Sequence, residues 1–99
     1  MTFTKQQNGT ALEIAVEGRL DTMTAPKLEE ELNRCLPGIT ELTVNLAELK
    51  YISSAGLWLL LATYKRMNSQ GNIMKVVLAN DLIQEVFEVT GFSDLLDAE

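Results

Sequence analysis

The stretch ELTVNLAELKYISSAGLWLLLATYKRMNS, residues 41–69, changes its apolar period part way along. Leu42, Val44 and Leu46 alternate with Glu41, Thr43 and Asn45, the period of a strand with one buried face. From Leu57 the period is helical, with Leu57, Leu60/Leu61, Tyr64 and Met67 along one stripe of a helix that ends near Ser69. Ser53, Ser54 and Gly56 lie where that helix must begin. A strand run joined to a helix by a short connection is the unit of an α/β domain.

The alternation extends outward in both directions. Upstream, Phe3–Gln7 and the alternating Leu12, Ile14 and Val16 flank Asn8-Gly9 as a hairpin, and Gly18 ends the second strand or opens a bulge. Thr24 as N-cap, Pro26 in the first turn, and Leu28, Leu32 and Cys35/Leu36 at helical spacing predict a helix over residues 25–36. Its solvated side carries Lys27, Glu29, Glu30, Glu31 and Arg34, with Lys27/Glu31 and Glu30/Arg34 spaced as i,i+4 pairs. Pro37-Gly38 stops it. Downstream, Gln70-Gly71-Asn72 ends the long helix and residues 74–79 read as a buried strand. Asn80 or Asp81 caps a third helix through Thr90, and Gly91-Phe92 fits a C-cap with a hydrophobic contact back. Leu95 and Leu96 form a last short strand or pin the tail. The expected fold is a single α/β domain over residues 1–99.

Composition narrows the chemistry. The 99 residues are 46% hydrophobic and 22% charged, with 14 acids, 8 bases and no histidine. A chain of this length builds one core, so its apolar stripes are assigned to packing first. Without histidine, Ser-His-Asp and Cys-His constellations and Cys/His zinc sites cannot be assembled. Cys35 is the single cysteine, which excludes an intramolecular disulfide, fits a reducing compartment and reads as a small buried hydrophobe. Carboxylate-pair catalysis needs a cleft that so small a domain can hardly form, and no GxxxxGK[ST] loop occurs, so an enzyme is not expected. A net charge of −6 argues against nucleic acid and anionic membrane and favours a protein partner with a basic patch. The first residues have no apolar h-region, and the run 57–62 is far shorter than the roughly 20 residues of a membrane span. A soluble cytoplasmic protein is expected. No pattern suggests a metal or cofactor.

Three local patterns occur in a recognisable order. Gly18-Arg19-Leu20-Asp21-Thr22, followed by a helix with Ala25 and Leu28, resembles the glycine-x-leucine-aspartate signature of STAS domains, named for sulphate transporters and anti-sigma factor antagonists. Tyr51-Ile52-Ser53-Ser54-Ala55-Gly56-Leu57 resembles that family's aspartate-serine-serine/threonine-glycine-leucine loop, and Val89-Thr90-Gly91-Phe92 resembles its last helix end. The resemblance spans nearly the whole chain. It implies a mixed sheet of four or five strands with helices mainly on one side, and a regulatory binding module.

In stand-alone bacterial members of this length, the resemblance implies an anti-sigma factor antagonist. Such a module captures an anti-sigma factor that is also a serine-protein kinase, and phosphorylation in the loop releases it. Here Ser53 stands at the family's aspartate and Ala55 at its second hydroxyl position, while Ser54 is kept. Ser54 therefore inherits the phosphoacceptor role, Ser53 is the second candidate, and Ala55 cannot serve. The alternative partner is the ATPase of an ABC transporter, bound without phosphorylation.

The expected partner-binding rim comprises Asp21, Thr22, Ser53, Ser54, Ala55, Gly56 and Trp58. Serines at a helix start serve first as caps, but a phosphoryl group there would meet the free N–H groups of the first turn. Asp21 reads either as a carboxylate facing a basic partner or as a turn cap for the coming helix. Trp58 lies roughly 100° round the helix from the sheet-facing stripe. It reads either as an exposed interface anchor or as packing against a neighbouring loop.

Overall fold

The computed structural model describes residues 1–96, with strands β1 (Thr2–Asn8), β2 (Ala11–Leu20), β3 (Glu41–Asn45), β4 (Leu49–Ile52) and β5 (Ile73–Val77). The helices are α1 (Ala25–Cys35), α2 (Ser54–Ser69), α3 (Asp81–Thr90) and α4 (Phe92–Leu96). The sheet is mixed: β1 runs antiparallel to β2, and β3 and β5 follow in parallel in the order β1-β2-β3-β5. β2 is long enough to serve two parallel neighbours in turn. Ala11–Ala15 pair with β3, and Gly18–Leu20 pair with β4 across a register shift at Gly18/Arg19. Gly18 makes that shift with φ +93°, a backbone conformation that costs glycine little.

One face of the sheet carries the core. Leu12, Ile14, Val16 and Leu20 of β2, Leu42 and Val44 of β3, and Met74 and Val76 of β5 are all buried. The helices cover this face, while Glu13 and Glu17 stand on the open one. Cross-strand neighbours share a face, so Phe3 and Lys5 of β1, opposite Val16 and Ile14, point to the helical side. α2 lies deepest, with Gly56, Leu57, Leu59, Leu60, Leu61, Thr63 and Met67 buried. The Thr63 hydroxyl donates to the Leu59 carbonyl at 2.8 Å, which satisfies the polar group it brings inside. Among the described residues, no helix is long and apolar enough to cross a membrane.

Several sequence expectations change in detail. The hairpin loop is Gly9-Thr10, one residue later than Asn8-Gly9, because Asn8 still pairs with Ala11. Helix α1 ends at Cys35, with Leu36 as its C-cap. Cys35 is half-buried rather than buried, and its Sγ lies 3.4 Å from the Lys5 Nζ and 3.2 Å from the Glu31 carboxylate. Glu31 turns toward Lys5 and Arg34 instead of forming the i,i+4 pair with Lys27, whereas Glu30 and Arg34 do pair, at 3.7 Å. The last parallel strand is residues 73–77, shorter than expected. Met74 and Val76 are buried under the helices, while Ile73 and Lys75 lie on the open face of the sheet, so the strand alternates instead of being buried throughout. β4 was not anticipated, and the segment with Leu95 and Leu96 is helical rather than a strand.

Candidate functional site

The chain leaves the parallel strands β2 and β4 at the same end of the sheet, and there the expected rim assembles. The Ser53 N–H donates to the Leu20 carbonyl at 2.9 Å, tying the start of α2 to the end of β2. Gly56 makes this junction possible. A Cβ at residue 56 would lie 2.7 Å from the Leu20 Cγ, 2.9 Å from the Ile52 Cγ1 and 3.0 Å from the Leu20 carbonyl oxygen. Gly56 is buried and acts by close packing, so it offers no surface to a partner.

Asp21 and Thr24 form a closed turn before α1. The Asp21 carboxylate accepts from the N–H groups of Met23 at 3.0 Å and Thr24 at 3.1 Å, and from the Thr24 hydroxyl at 3.1 Å. Thr24 occupies the N-cap position, yet its side chain does not cap. Its hydroxyl instead faces back to the Arg19 carbonyl and the Asp21 N–H, both at 2.8 Å. The Asp21 reading as a turn cap therefore describes what its carboxylate does. Partial desolvation pushes the Asp21 pKa up, but hydrogen bonds from Thr24 and Met23, with help from Arg19, outweigh it and hold the carboxyl below its ordinary value. Arg19 pairs with Asp21 at 3.5 Å and lies 4.1 Å above the Tyr51 ring on β4.

The two serines differ sharply. Ser53 is the N-cap of α2 in extended conformation, but its side chain makes no capping bond, and its Oγ is buried without a hydrogen-bond partner among the described residues. Ser54, the first helical residue, is exposed. The first helical bond of α2 is from the Leu57 N–H to the Ser53 carbonyl, as the geometry of a helix start requires. A group on the Ser54 oxygen would stand beside unpaired N–H groups and in solvent.

Trp58 follows Ser54 by four residues, so both lie on one face of α2. The indole is 61% exposed, and its ring meets Phe92 of α4 edge to face, with centroids 5.7 Å apart and an interplanar angle of 81°. Trp58 thus packs at one edge against a helix rather than a loop, and the rest of its surface is exposed. An open groove of about 370 Å³ runs between α1 and α2, lined by Thr22, Ala25, Pro26, Glu29, Ala55, Trp58, Leu59 and Ala62. Thr22, Ala55 and Trp58 thus converge on one surface, while Ser54, next in sequence to Ala55, does not line it. Pro26 and Glu29 were not singled out from sequence. Their i,i+3 spacing reads as helix surface until the position of α2 is known. Met23, 80% exposed, is a further apolar residue on the Asp21–Thr24 turn.

A mixed sheet with helices on one face, a glycine-tight junction between β2 and α2, and a hydroxyl-bearing loop at that junction define a STAS domain. The chain belongs to this family: the family model described as Mlab, STAS domain, matches residues 3–97. It is similar to the anti-sigma-B factor antagonist of Staphylococcus aureus, 36% identical over 85 residues that cover 85% of this chain and 79% of that protein. Its fold matches the anti-sigma factor antagonist SpoIIAA in unphosphorylated form, with a TM-score of 0.83 at 15% identity, covering 99% of this chain and 88% of the other. It also matches the Bacillus cell fate determinant SpoIIAA in the phosphorylated form, with a TM-score of 0.77 at 15% identity over 99% and 91%.

Proposed function

We propose that this protein is an anti-sigma factor antagonist. It acts in the cytoplasm by binding rather than turnover, captures an anti-sigma factor that is also a serine kinase, and is released by phosphorylation of Ser54. The observation that carries the reading is the contrast at the start of α2. Ser54 is exposed, next in sequence to Ala55 and one helical turn before Trp58, both of which line the groove, while the Ser53 hydroxyl is buried. The relative named an anti-sigma-B factor antagonist supports the choice of partner.

The switch follows from charge and desolvation. Phosphorylation adds about −1.5 to −2 charge to Ser54 at neutral pH. That charge is tolerated in the free protein because unpaired N–H groups of the first turn face it. In a complex the same charge would be enclosed next to a mostly apolar groove that already holds Glu29, and enclosing it without a cation is costly.

Incubating the protein with its cognate anti-sigma kinase and ATP, then mapping the modified residue by mass spectrometry, tests the assignment. A single phosphate on Ser54, absent from Ser54→Ala, is the expected result. Phosphate on Ser53, or capture by an ABC transporter ATPase with no phosphorylation at all, contradicts it.

A further inference from the structure

The net charge of −6 is not spread along the chain. Residues 1–75 hold eight acids and eight bases, so the whole excess lies in residues 76–99, which carry six acids and no Lys or Arg. In the fold, Asp81, Glu85 and Glu88 stand at i, i+4 and i+7 along α3. Beside them runs an apolar stripe at the same spacing, Leu82, Val86 and Val89. Ile83 and Phe87 already anchor α3 to the core. Val86 is half-buried against the core, whereas the stripe's two ends lie beyond what packing requires: Leu82 is 54% exposed and Val89 80% exposed. With Glu85 and Thr90, these three residues line a shallow groove of about 330 Å³ that shares no residue with the groove beside Trp58.

Leu78 precedes the same helix in sequence but does not line this groove. It is 62% exposed and has φ +57°, the one non-glycine residue with positive φ among those described. A left-handed leucine costs about 1–2 kcal/mol, and an exposed one returns little burial to offset it.

We infer that the α3 face is a second docking surface, which takes a basic amphipathic helix of a protein partner. The apolar side chains of that helix fill the Leu82–Val86–Val89 stripe, and its Lys and Arg residues meet Asp81, Glu85 and Glu88. Charge selects this occupant. A second copy would bring one acidic stripe against another, and an anionic bilayer would be repelled by the same row. The surface is independent of the Ser54 rim and its phosphorylation.

The probe is a synthetic Leu/Lys amphipathic peptide of about four helical turns, titrated into the ¹⁵N-labelled full-length protein. Saturable shifts centred on Leu82, Val86 and Val89 are expected, with the Trp58 indole signal unmoved. Affinity is expected to fall about tenfold in Leu82→Ser/Val89→Ser. In Glu85→Gln/Glu88→Gln the affinity should fall and its salt dependence flatten. All four side chains are solvent-facing, so circular dichroism should show both variants folded. Shifts centred on the Trp58 groove, the absence of saturation, or a sedimenting dimer abolished by Leu82→Ser/Val89→Ser would each overturn the inference.

Discussion

Gly56 sits so close to Leu20 that a Cβ at residue 56 would stand 2.7 Å from the Leu20 Cγ, with the Leu20 carbonyl oxygen only 3.0 Å away. Leu20 is fully buried and ends the central strand, so it has little room to yield. Gly56→Ala should therefore push the start of α2 off the sheet and cost about 1–3 kcal/mol. Urea unfolding followed by circular dichroism measures it; an unchanged midpoint would show that the junction relaxes freely.

The Asp21 turn gives a pH dependence with a definite sign. Its carboxyl is held below its ordinary pKa in the folded state, so its contribution is fully present above the unfolded value and is lost as pH falls through the folded one. Asp21→Asn keeps an acceptor oxygen but removes the charge. Its stability should approach that of the parent in acid, with the acid limb of the midpoint-versus-pH curve flattened. Parallel curves for the two proteins would contradict this.

Asn80 joins two elements. Its Oδ1 accepts from the Ile83 N–H at 3.1 Å as the cap of α3, and its Nδ2 donates to the Leu49 carbonyl of β4 at 2.6 Å. Asn80→Ala should cost about 1–2 kcal/mol in thermal or denaturant unfolding. Asn80→Asp retains the cap and loses the donor, so it should fall between the two.

Trp58 has two roles of different size. Losing its edge contact with Phe92 should cost about 1 kcal/mol of stability in Trp58→Ala. Affinity for the anti-sigma factor should fall more, by about tenfold or greater, as for a buried aromatic anchor. A stability loss with unchanged affinity would confine Trp58 to intramolecular packing.

How far the sequence discloses this molecule depends on the range of the interaction concerned. β2 and β3 are legible because one face of each is buried and the other solvated, which writes a period of two into the chain. β4 carries no such period. Lys50 and Tyr51 are both exposed because the register slips there, pairing Leu49 with Gly18 and Tyr51 with Arg19. Cys35 looks apolar by type, and only the pairing of β1 with β2 brings Lys5 to it. At the rim, the candidate residues are legible as a motif, but their roles are not. Which of Ser53 and Ser54 faces solvent depends on the close fit of Gly56 to Leu20, a contact between residues 36 positions apart. The inward turn of Asp21 is local and legible as an alternative. The groove that joins Thr22 to Trp58 is not, because it exists only once α1 and α2 lie side by side.

The central claim is that the charge state of Ser54 governs capture of the anti-sigma factor. Isothermal titration of the cognate anti-sigma factor into the unmodified protein, and into protein phosphorylated at Ser54, tests it most directly. Tight binding of the unmodified form, with affinity at least about a hundredfold weaker after phosphorylation, is the predicted result. Equal affinities for the two forms would contradict the account.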